Sequence, residues 1–182
     1  GSMTRQRDIV SSKKVSLAAP IIGEALLNVG HLQTRNRGTL GGSLCHLDPA
    51  AELPAIASLY DATMFVANKD ECKEILISDW SLAYMIPNLA PEDILTSISI
   101  PVWSADHGYA FIEFARRHGD FAICAAGVLI ELDDKKVILK TAITIAGANV
   151  KPIRLLELEK NLIGQVANKK TFLEAEEEAK KI

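Results

Sequence analysis

Cysteine is scarce in this sequence of 182 residues, and the three that occur, Cys45, Cys72 and Cys124, lie far apart without CxxC spacing. An iron–sulfur cluster needs several clustered thiolates, so we expect no such cluster in this chain. An odd number of scattered cysteines is typical of reduced thiols. Because disulfides persist mainly outside reducing compartments, we expect a cytoplasmic protein.

Long apolar runs and a strong excess of one charge are also absent. No hydrophobic stretch reaches the roughly 20 residues that a membrane span needs. The 20 basic and 23 acidic residues give a formal net charge of −3, and aromatic residues make up only 5%. Nucleic-acid-binding surfaces are usually basic, so we expect no such partner. Gly1 and Ser2 before Met3 resemble the remnant of an affinity tag, and we leave them out of the predicted fold.

Hydrophobic residues make up 48% of the chain, which is enough for a substantial core. In the first part, periodicity favours a mixture of helices and short strands. We predict helices at 15–30, 49–62 and 78–89, and strands at 63–68, 73–78 and 94–101. Residues 102–108 are less regular. We therefore place a boundary there, between a domain of residues 1–104 and a domain of residues 105–182.

The second part has strands first and helices afterwards. Alternating patterns predict strands at 109–117, 122–132 and 137–149, with Asp133 and Asp134 in the turn between the last two. The remaining residues predict helices at 151–164 and 168–182. This order is typical of an antiparallel α+β module.

The segment TRNRGTLGGSLCHLDPAAELP, residues 34–54, gathers glycine, small hydroxyl residues and arginine. Gly41 and Gly42 lack a Cβ atom, so their amides can approach a ligand closely and form a cup for an anion. Thr39 and Ser43 add hydroxyl donors, and the TRNR stretch adds positive charge. A diphosphate needs these groups, although a glycine pair can also form an ordinary tight turn. The GxxxxGK[ST] and GxGxxG spacings are both absent.

Four further polar residues in this segment are candidates for binding. Cys45 and His46 are adjacent but have no third and fourth ligand nearby, so we expect no metal site. Asp48 and Glu52 would repel a phosphate, but their carboxylates can accept hydrogen bonds from sugar or ribityl hydroxyls. Asp48 can instead cap the helix that follows. No Ser/His/Asp set stands at catalytic spacing, and we assign no catalytic side chain.

The longer stretch VGHLQTRNRGTLGGSLCHLDPAAELP resembles the second flavin motif in the medium, FAD-binding subunit of molybdenum hydroxylases. That family includes the carbon monoxide dehydrogenase, xanthine dehydrogenase and 4-hydroxybenzoyl-CoA reductase types. LAPEDILTSISIP and FARRHGDFAICAAG resemble later parts of the same subunit, so the resemblance covers nearly all of residues 4–182. It implies an α+β fold, in which the second lobe of a two-lobed FAD-binding domain has a mixed or antiparallel sheet with helices. A small C-terminal domain follows, with a three-stranded antiparallel sheet and helices.

The resemblance also implies a set of cofactor-binding residues. The FAD diphosphate would be held by Thr39, Leu40, Gly41, Gly42 and Ser43. Glu52 would bind a ribityl or ribose hydroxyl, and Gly30 would lie near the cofactor through its backbone. Leu95 would lie near the isoalloxazine ring or its neighbouring wall. Some family members have a lysine in the strand before RRxGD, where this sequence has Ile112 and Glu113.

The function implied by the resemblance is electron transfer. Substrate would react at a molybdopterin-binding large subunit, and electrons would pass through a 2Fe–2S small subunit and FAD to an external acceptor. The Ala-Gly-Gly-x-Ser/Thr loop of the family's first subdomain is absent here, so we expect this chain alone to bind FAD weakly or not at all. The chain would then be either a fragment or a naturally split subunit whose first subdomain is a separate chain. We also expect the isolated chain to self-associate through its exposed apolar face. The alternative is an assembly module without flavin that docks partner subunits.

Overall fold

The computed structural model describes residues 1–181. The first part of the chain is mainly helical, because apolar residues recur there at helical spacing. In chain order the helices are α1 Gln6–Val10, α2 Lys13–Ala18, α3 Ile21–Asn28, α4 Leu32–Arg37, α5 Leu40–His46 and α6 Glu52–Leu59. None of the described helices is long and apolar enough to cross a membrane.

Short strands follow these helices and form two small sheets. The elements are β1 Thr63–Ala67, β2 Cys72–Leu76, α7 Ile77–Trp80, β3 Ser81–Ala83, β4 Ile86–Pro87 and β5 Ile94–Ser99. Strand β1 is the centre of an antiparallel sheet in the order β2-β1-β5, and β3 and β4 form a hairpin. Met64 and Val66 on β1 are buried while their neighbours are half-buried, as expected for a strand with one face on the core.

The second part folds into one antiparallel sheet with two helices. Its elements are β6 Gly108–Ala115, β7 Ala122–Leu132, β8 Ile138–Ala146, β9 Ile153–Arg154, α8 Leu156–Leu162 and α9 Lys169–Ala179, and the strand order is β6-β7-β8-β9. The sheet has four strands rather than the predicted three, because Ile153 and Arg154 pair with β8. The helix predicted from residue 151 therefore begins only at Leu156. Pro152 contributes to this delay, since proline disfavours helical backbone in the residue before it.

Two predicted helices have different bounds in the structure. The helix predicted at 15–30 is broken at Ala19, which has non-helical backbone angles of φ −153° and ψ 68°. Ala19 precedes Pro20, and the proline ring clashes with a helical conformation at that position. The helix predicted at 49–62 begins only at Glu52.

The helix predicted at 78–89 is wrong for most of its length. It ends at Trp80, and the chain continues as the β3–β4 hairpin, where Met85 has a φ of 56°. Trp80 is fully buried, and its Nε1–H donates to the carbonyl oxygen of Leu44 at 2.7 Å. This hydrogen bond fixes α7 against α5, so tertiary packing rather than helix propensity decides the local structure.

The two parts of the chain share a core and an ion-pair network. Ile56 on α6 and Leu129 on β7 belong to the same buried cluster. Arg154 on β9 donates to the carboxylates of Asp61 at 2.8 Å and Glu159 at 2.7 Å. Because Asp61 precedes the first sheet and Glu159 lies on α8, this guanidinium ties both parts together.

Candidate functional site

The glycine pair lies in the first turn of α5 rather than in a loop. Thr39 precedes the helix, and its Oγ1 accepts a hydrogen bond from the Gly42 N–H at 3.0 Å. A threonine at this position satisfies one of the first-turn amides that have no partner inside the helix. The hydroxyl hydrogen of Thr39 is still able to donate. Ser43 is half-buried and makes no side-chain hydrogen bond within the described part of the chain.

Two backbone amides that were expected to face a phosphate instead donate hydrogen bonds to residues at the beginning of the chain. The Gly41 N–H donates to the carbonyl oxygen of Ser2 at 2.7 Å, and the Leu40 N–H donates to that of Thr4 at 2.9 Å. A Cβ atom at Gly41 would lie 2.5 Å from the Ser2 Cβ, so only glycine permits this approach. Ser2 is buried and also donates its N–H to Thr96. Leaving Gly1 and Ser2 out of the fold was therefore wrong.

One of the two arginines of the TRNR stretch has a structural contact. The Arg35 Nη1–H donates to the carbonyl oxygens of Val29 at 2.7 Å and Gly30 at 3.2 Å. Arg35 therefore holds the turn after α3. Arg37 is exposed at the end of α4, and its carbonyl oxygen accepts a hydrogen bond from Arg5.

Gly30 and Glu52 come together at a cavity of about 230 Å³. The loop between β6 and β7 closes its other side with Gly119, Asp120 and Phe121. Gly30 and Gly119 have positive φ angles of 32° and 85°, and a Cβ atom at Gly119 would lie 3.5 Å from the Gly30 backbone. The FARRHGDF motif therefore folds against the turn that precedes the glycine segment, and residues from both parts of the chain line one cavity.

Glu52 is the acidic group of this cavity. It lies in the first turn of α6 and is half-buried. Burial raises the pKa of its carboxyl from 4.5 to about 7, a backbone hydrogen bond lowers it, and the negative charges of Glu113 and Asp48 raise it further. At neutral pH a substantial share of Glu52 is therefore a neutral carboxylic acid, which can both donate and accept a hydrogen bond.

Asp48 and Leu95 lie outside this cavity lining. The Asp48 Oδ1 accepts the Ala50 N–H at 2.9 Å and so forms a local turn, while Ala51 precedes the first residue of α6. Asp48 therefore does not cap α6, although the sequence had offered capping as one of its two roles. Leu95 is buried in the cluster beneath α5 together with Leu44. Its side chain supports the glycine segment from below.

Two features of the site are not foreseen by sequence patterns. One is the contact between α5 and residues 1–4. The other is the Glu113 carboxyl, whose Oε2 is buried and has no hydrogen-bond partner. The signal for Glu113 was an acid on the inward-facing register of a strand. Among the described residues, no group of three or more His, Cys, Asp and Glu side chains could hold a metal ion.

Comparisons with known proteins match the two parts of the chain to two families. The family described as "FAD binding domain in molybdopterin dehydrogenase" matches residues 1–103, and the family described as "CO dehydrogenase flavoprotein C-terminal domain" matches residues 109–182. Caffeine dehydrogenase subunit beta of Pseudomonas sp. (strain CBB1) is 37% identical, over 91% of this chain and 56% of the relative. The 6-hydroxypseudooxynicotine dehydrogenase complex subunit alpha of Paenarthrobacter nicotinovorans is 35% identical, over 90% and 55%.

Solved structures agree with this assignment. A reconstituted CO dehydrogenase from Oligotropha carboxidovorans superposes with a TM-score of 0.91 and 27% identity, covering 96% of this chain and 61% of that one. Quinoline 2-oxidoreductase from Pseudomonas putida 86 gives a TM-score of 0.89 at 27% identity, over 96% and 60%. The chain spans a little more than half the length of the curated relatives it matches. It belongs to the family of FAD-binding domains of molybdopterin dehydrogenases, which confirms both the resemblance and the α+β fold.

Proposed function

We propose that this chain is a flavin-binding electron-transfer component of a molybdenum-containing hydroxylase or dehydrogenase. The observation that carries the proposal is the cavity that brings Gly30 and Glu52 together. The proposed partners are a molybdopterin-binding large subunit and a 2Fe–2S small subunit. The three free cysteines support a cytoplasmic location, and we propose domains of residues 1–104 and 105–182.

The side chains present fit FAD by the chemistry of their donors. The hydroxyls of Thr39 and Ser43 would donate to the diphosphate, beside the exposed backbone of Gly42. Glu52 would bind a ribityl or ribose hydroxyl, and Gly30 would border the cofactor through its backbone. The role of Leu40, Gly41 and Leu95 would be indirect, because they hold the start of α5 in place. When bound, FAD supplies the electron-carrying chemistry, and the chain binds and orients it.

Binding of FAD to this chain alone should be weak. The amides of Leu40 and Gly41 already donate within the chain, so few donors are left for a diphosphate. Each charge-assisted hydrogen bond that a second lobe would add is worth roughly 1.5–3 kcal/mol. We therefore propose that a second lobe carries the other half of the diphosphate site, and that the residues present here have only a small part of the affinity.

We also propose that the isolated chain self-associates, because it exposes large apolar side chains. Ile112, Phe114 and Phe121 are 71%, 66% and 78% exposed. Ile112 and Phe114 alternate with half-buried Glu113 and so form an apolar region on the outer face of β6, while Phe121 is exposed in the loop after that strand. Such regions mark interaction surfaces. A monomer in sedimentation over a wide concentration range, with no binding of a hydrophobic dye, would contradict this expectation.

One observation favours the alternative of an assembly module without flavin. The occupied amides of Leu40 and Gly41 reduce the anion-binding capacity of α5, while the exposed apolar residues on β6 suit protein docking. Co-expression with candidate partner subunits separates the two functions. A stable complex that carries about one flavin per copy of this chain supports the flavin component, whereas a stable colourless complex supports the assembly module.

A variant of the same complex tests the site itself. Ser43→Ala removes a proposed diphosphate donor, and the affinity for FAD should fall about ten- to hundredfold, the equivalent of one hydrogen bond to a charged group. Ser16→Ala is the matched control, because Ser16 is an exposed serine on α2, away from α5. Unchanged FAD affinity in Ser43→Ala would overturn the placement of the diphosphate.

A further inference from the structure

A second cavity, of about 180 Å³, lies among the helices of the first part of the chain and strand β5. Ten of the eleven described residues that line it are aliphatic, and the other is Thr4. None of these eleven residues is exposed, and Leu44, Ile56 and Ala57 are almost completely buried. Within the described part of the chain, this cavity shares no lining residue with the cavity of Gly30 and Glu52. It is a separate, apolar space within the fold.

The cavity lies where two hydrophobic clusters meet. Ile22 on α3 and Ile56 on α6 belong to one cluster, and Leu44 on α5 belongs to the other. Leu40 packs against both clusters, while Ala57 contributes only a methyl group to the wall. A void leaves the side chains around it without contacts on one side, so an apolar group that fills it gains dispersion attraction from all of them.

Water would gain few hydrogen bonds in this cavity. A buried water molecule usually makes about two to four hydrogen bonds to polar groups. Among the described residues of the lining, Thr4 has the only polar side chain, and its Oγ1–H already donates to the carbonyl oxygen of Gly1 at 2.7 Å. The carbonyl oxygen of Thr4 accepts the Leu40 N–H. The side chains around the cavity therefore favour an apolar occupant over water.

The volume of the cavity suits a small hydrocarbon. Apolar cavities of about 150 Å³ stay dry and bind benzene or xenon. We propose that this cavity is a binding site for a small apolar molecule of about the size of benzene. Removal of the ligand's apolar surface from water and its contacts with the aliphatic wall drive binding. A polar molecule of the same size binds more weakly, because it loses hydrogen bonds to water without a replacement.

The ligand-free chain with ¹³C-labelled methyl groups tests the site, with benzene as the probe. The methyl signals of Leu44, Leu53 and Ile56 should move in a saturable manner as benzene is added. Those of Ile138 and Leu158, which belong to the cluster that includes α8, should stay in place. Phenol differs from benzene by one hydroxyl group and should bind at least about tenfold more weakly.

Thermal unfolding measures the same binding through its effect on stability. A ligand that binds only the folded state raises the melting temperature in proportion to the logarithm of its occupancy. At a benzene concentration of about ten times Kd, Tm should rise by about 3–6 °C for a chain of 182 residues. The same concentration of phenol should give a much smaller rise.

Variants that fill the cavity test whether benzene binds there. Ala57→Leu and Val15→Phe each add apolar atoms at a lining position, and both should lower the affinity for benzene at least about tenfold. Val15 is only half-buried, so Val15→Phe should fold even if Ala57→Leu is too tightly packed, and the methyl spectrum reports whether the fold is kept. Val102→Phe adds the same ring at a position that is 66% exposed and should bind benzene like the wild type.

Three results would overturn the proposal. The first is a benzene titration in which the lining methyl signals show no saturable movement. The second is phenol binding as tight as benzene binding, and the third is undiminished benzene binding in folded Val15→Phe. The flavin site has different lining residues and a different ligand, so the failure of either inference leaves the other in place.

Discussion

Replacing Glu52 by glutamine should change how the stability of the fold depends on pH. The folded protein holds the proton of Glu52 more tightly than the unfolded chain, because burial raises its pKa from 4.5 to about 7. Between these two pH values the folded state binds more protons, so the free energy of unfolding falls as pH rises. The difference corresponds to at most about 3 kcal/mol. Glutamine carries no charge at any pH, so Glu52→Gln removes this loss.

Urea unfolding followed by circular dichroism, at pH 5 and pH 8, measures this effect. Other titrating groups act alike in both proteins, so the quantity of interest is the difference between Glu52→Gln and wild type. That difference should shift in favour of the variant by about 1–3 kcal/mol on going from pH 5 to pH 8. Glu24→Gln should show no such shift, because Glu24 is exposed on α3. Parallel pH dependences for wild type and Glu52→Gln would refute the account of Glu52 as a buried acid.

Two further substitutions test how the site is supported. Gly41→Ala places a Cβ atom 2.5 Å from Ser2 and should cost about 1–3 kcal/mol by overpacking, measured by urea unfolding. Gly23→Ala, in a helix with nothing within 4 Å of the new atom, should be neutral or stabilising, and equal effects would refute the close contact. Arg154→Ala should cost about 3–5 kcal/mol, because it leaves buried Glu159 without its partner. Lys160→Ala removes only an exposed pair and should cost less than about 1 kcal/mol, so similar losses would count against the network.

The longer strands could be predicted from sequence because alternation of apolar residues is a local signal, whereas β3, β4 and β9 were not predicted. The strand predicted at 122–132 has those bounds in the structure, and the one predicted at 137–149 is observed at Ile138–Ala146. Helix bounds were predicted less well. The helix predicted at 15–30 is broken at Ala19, because the proline that follows disfavours a helical backbone there. The hairpin after Trp80 was missed because a long-range hydrogen bond to Leu44 fixes that region.

The candidate site was only partly accessible to sequence reasoning. Gly30 and Glu52 were assigned to one cofactor from motif resemblance, and the structure places both on one cavity. The amide contacts of Gly41 could not be foreseen, because they depend on a chain segment far away in sequence that packs against α5. Glu113 was noticed only as a departure from lysine. Its electrostatic effect on Glu52 depends on how the β6–β7 pair packs against α6, which no local pattern encodes.

The structure of the assembled complex with FAD tests the central claim most directly. The account predicts that the diphosphate lies within hydrogen-bond distance of the Thr39 and Ser43 hydroxyls, and that the Glu52 carboxyl contacts the ribityl or ribose part of the same molecule. FAD bound elsewhere in the complex, with none of these three side chains in contact, would contradict it.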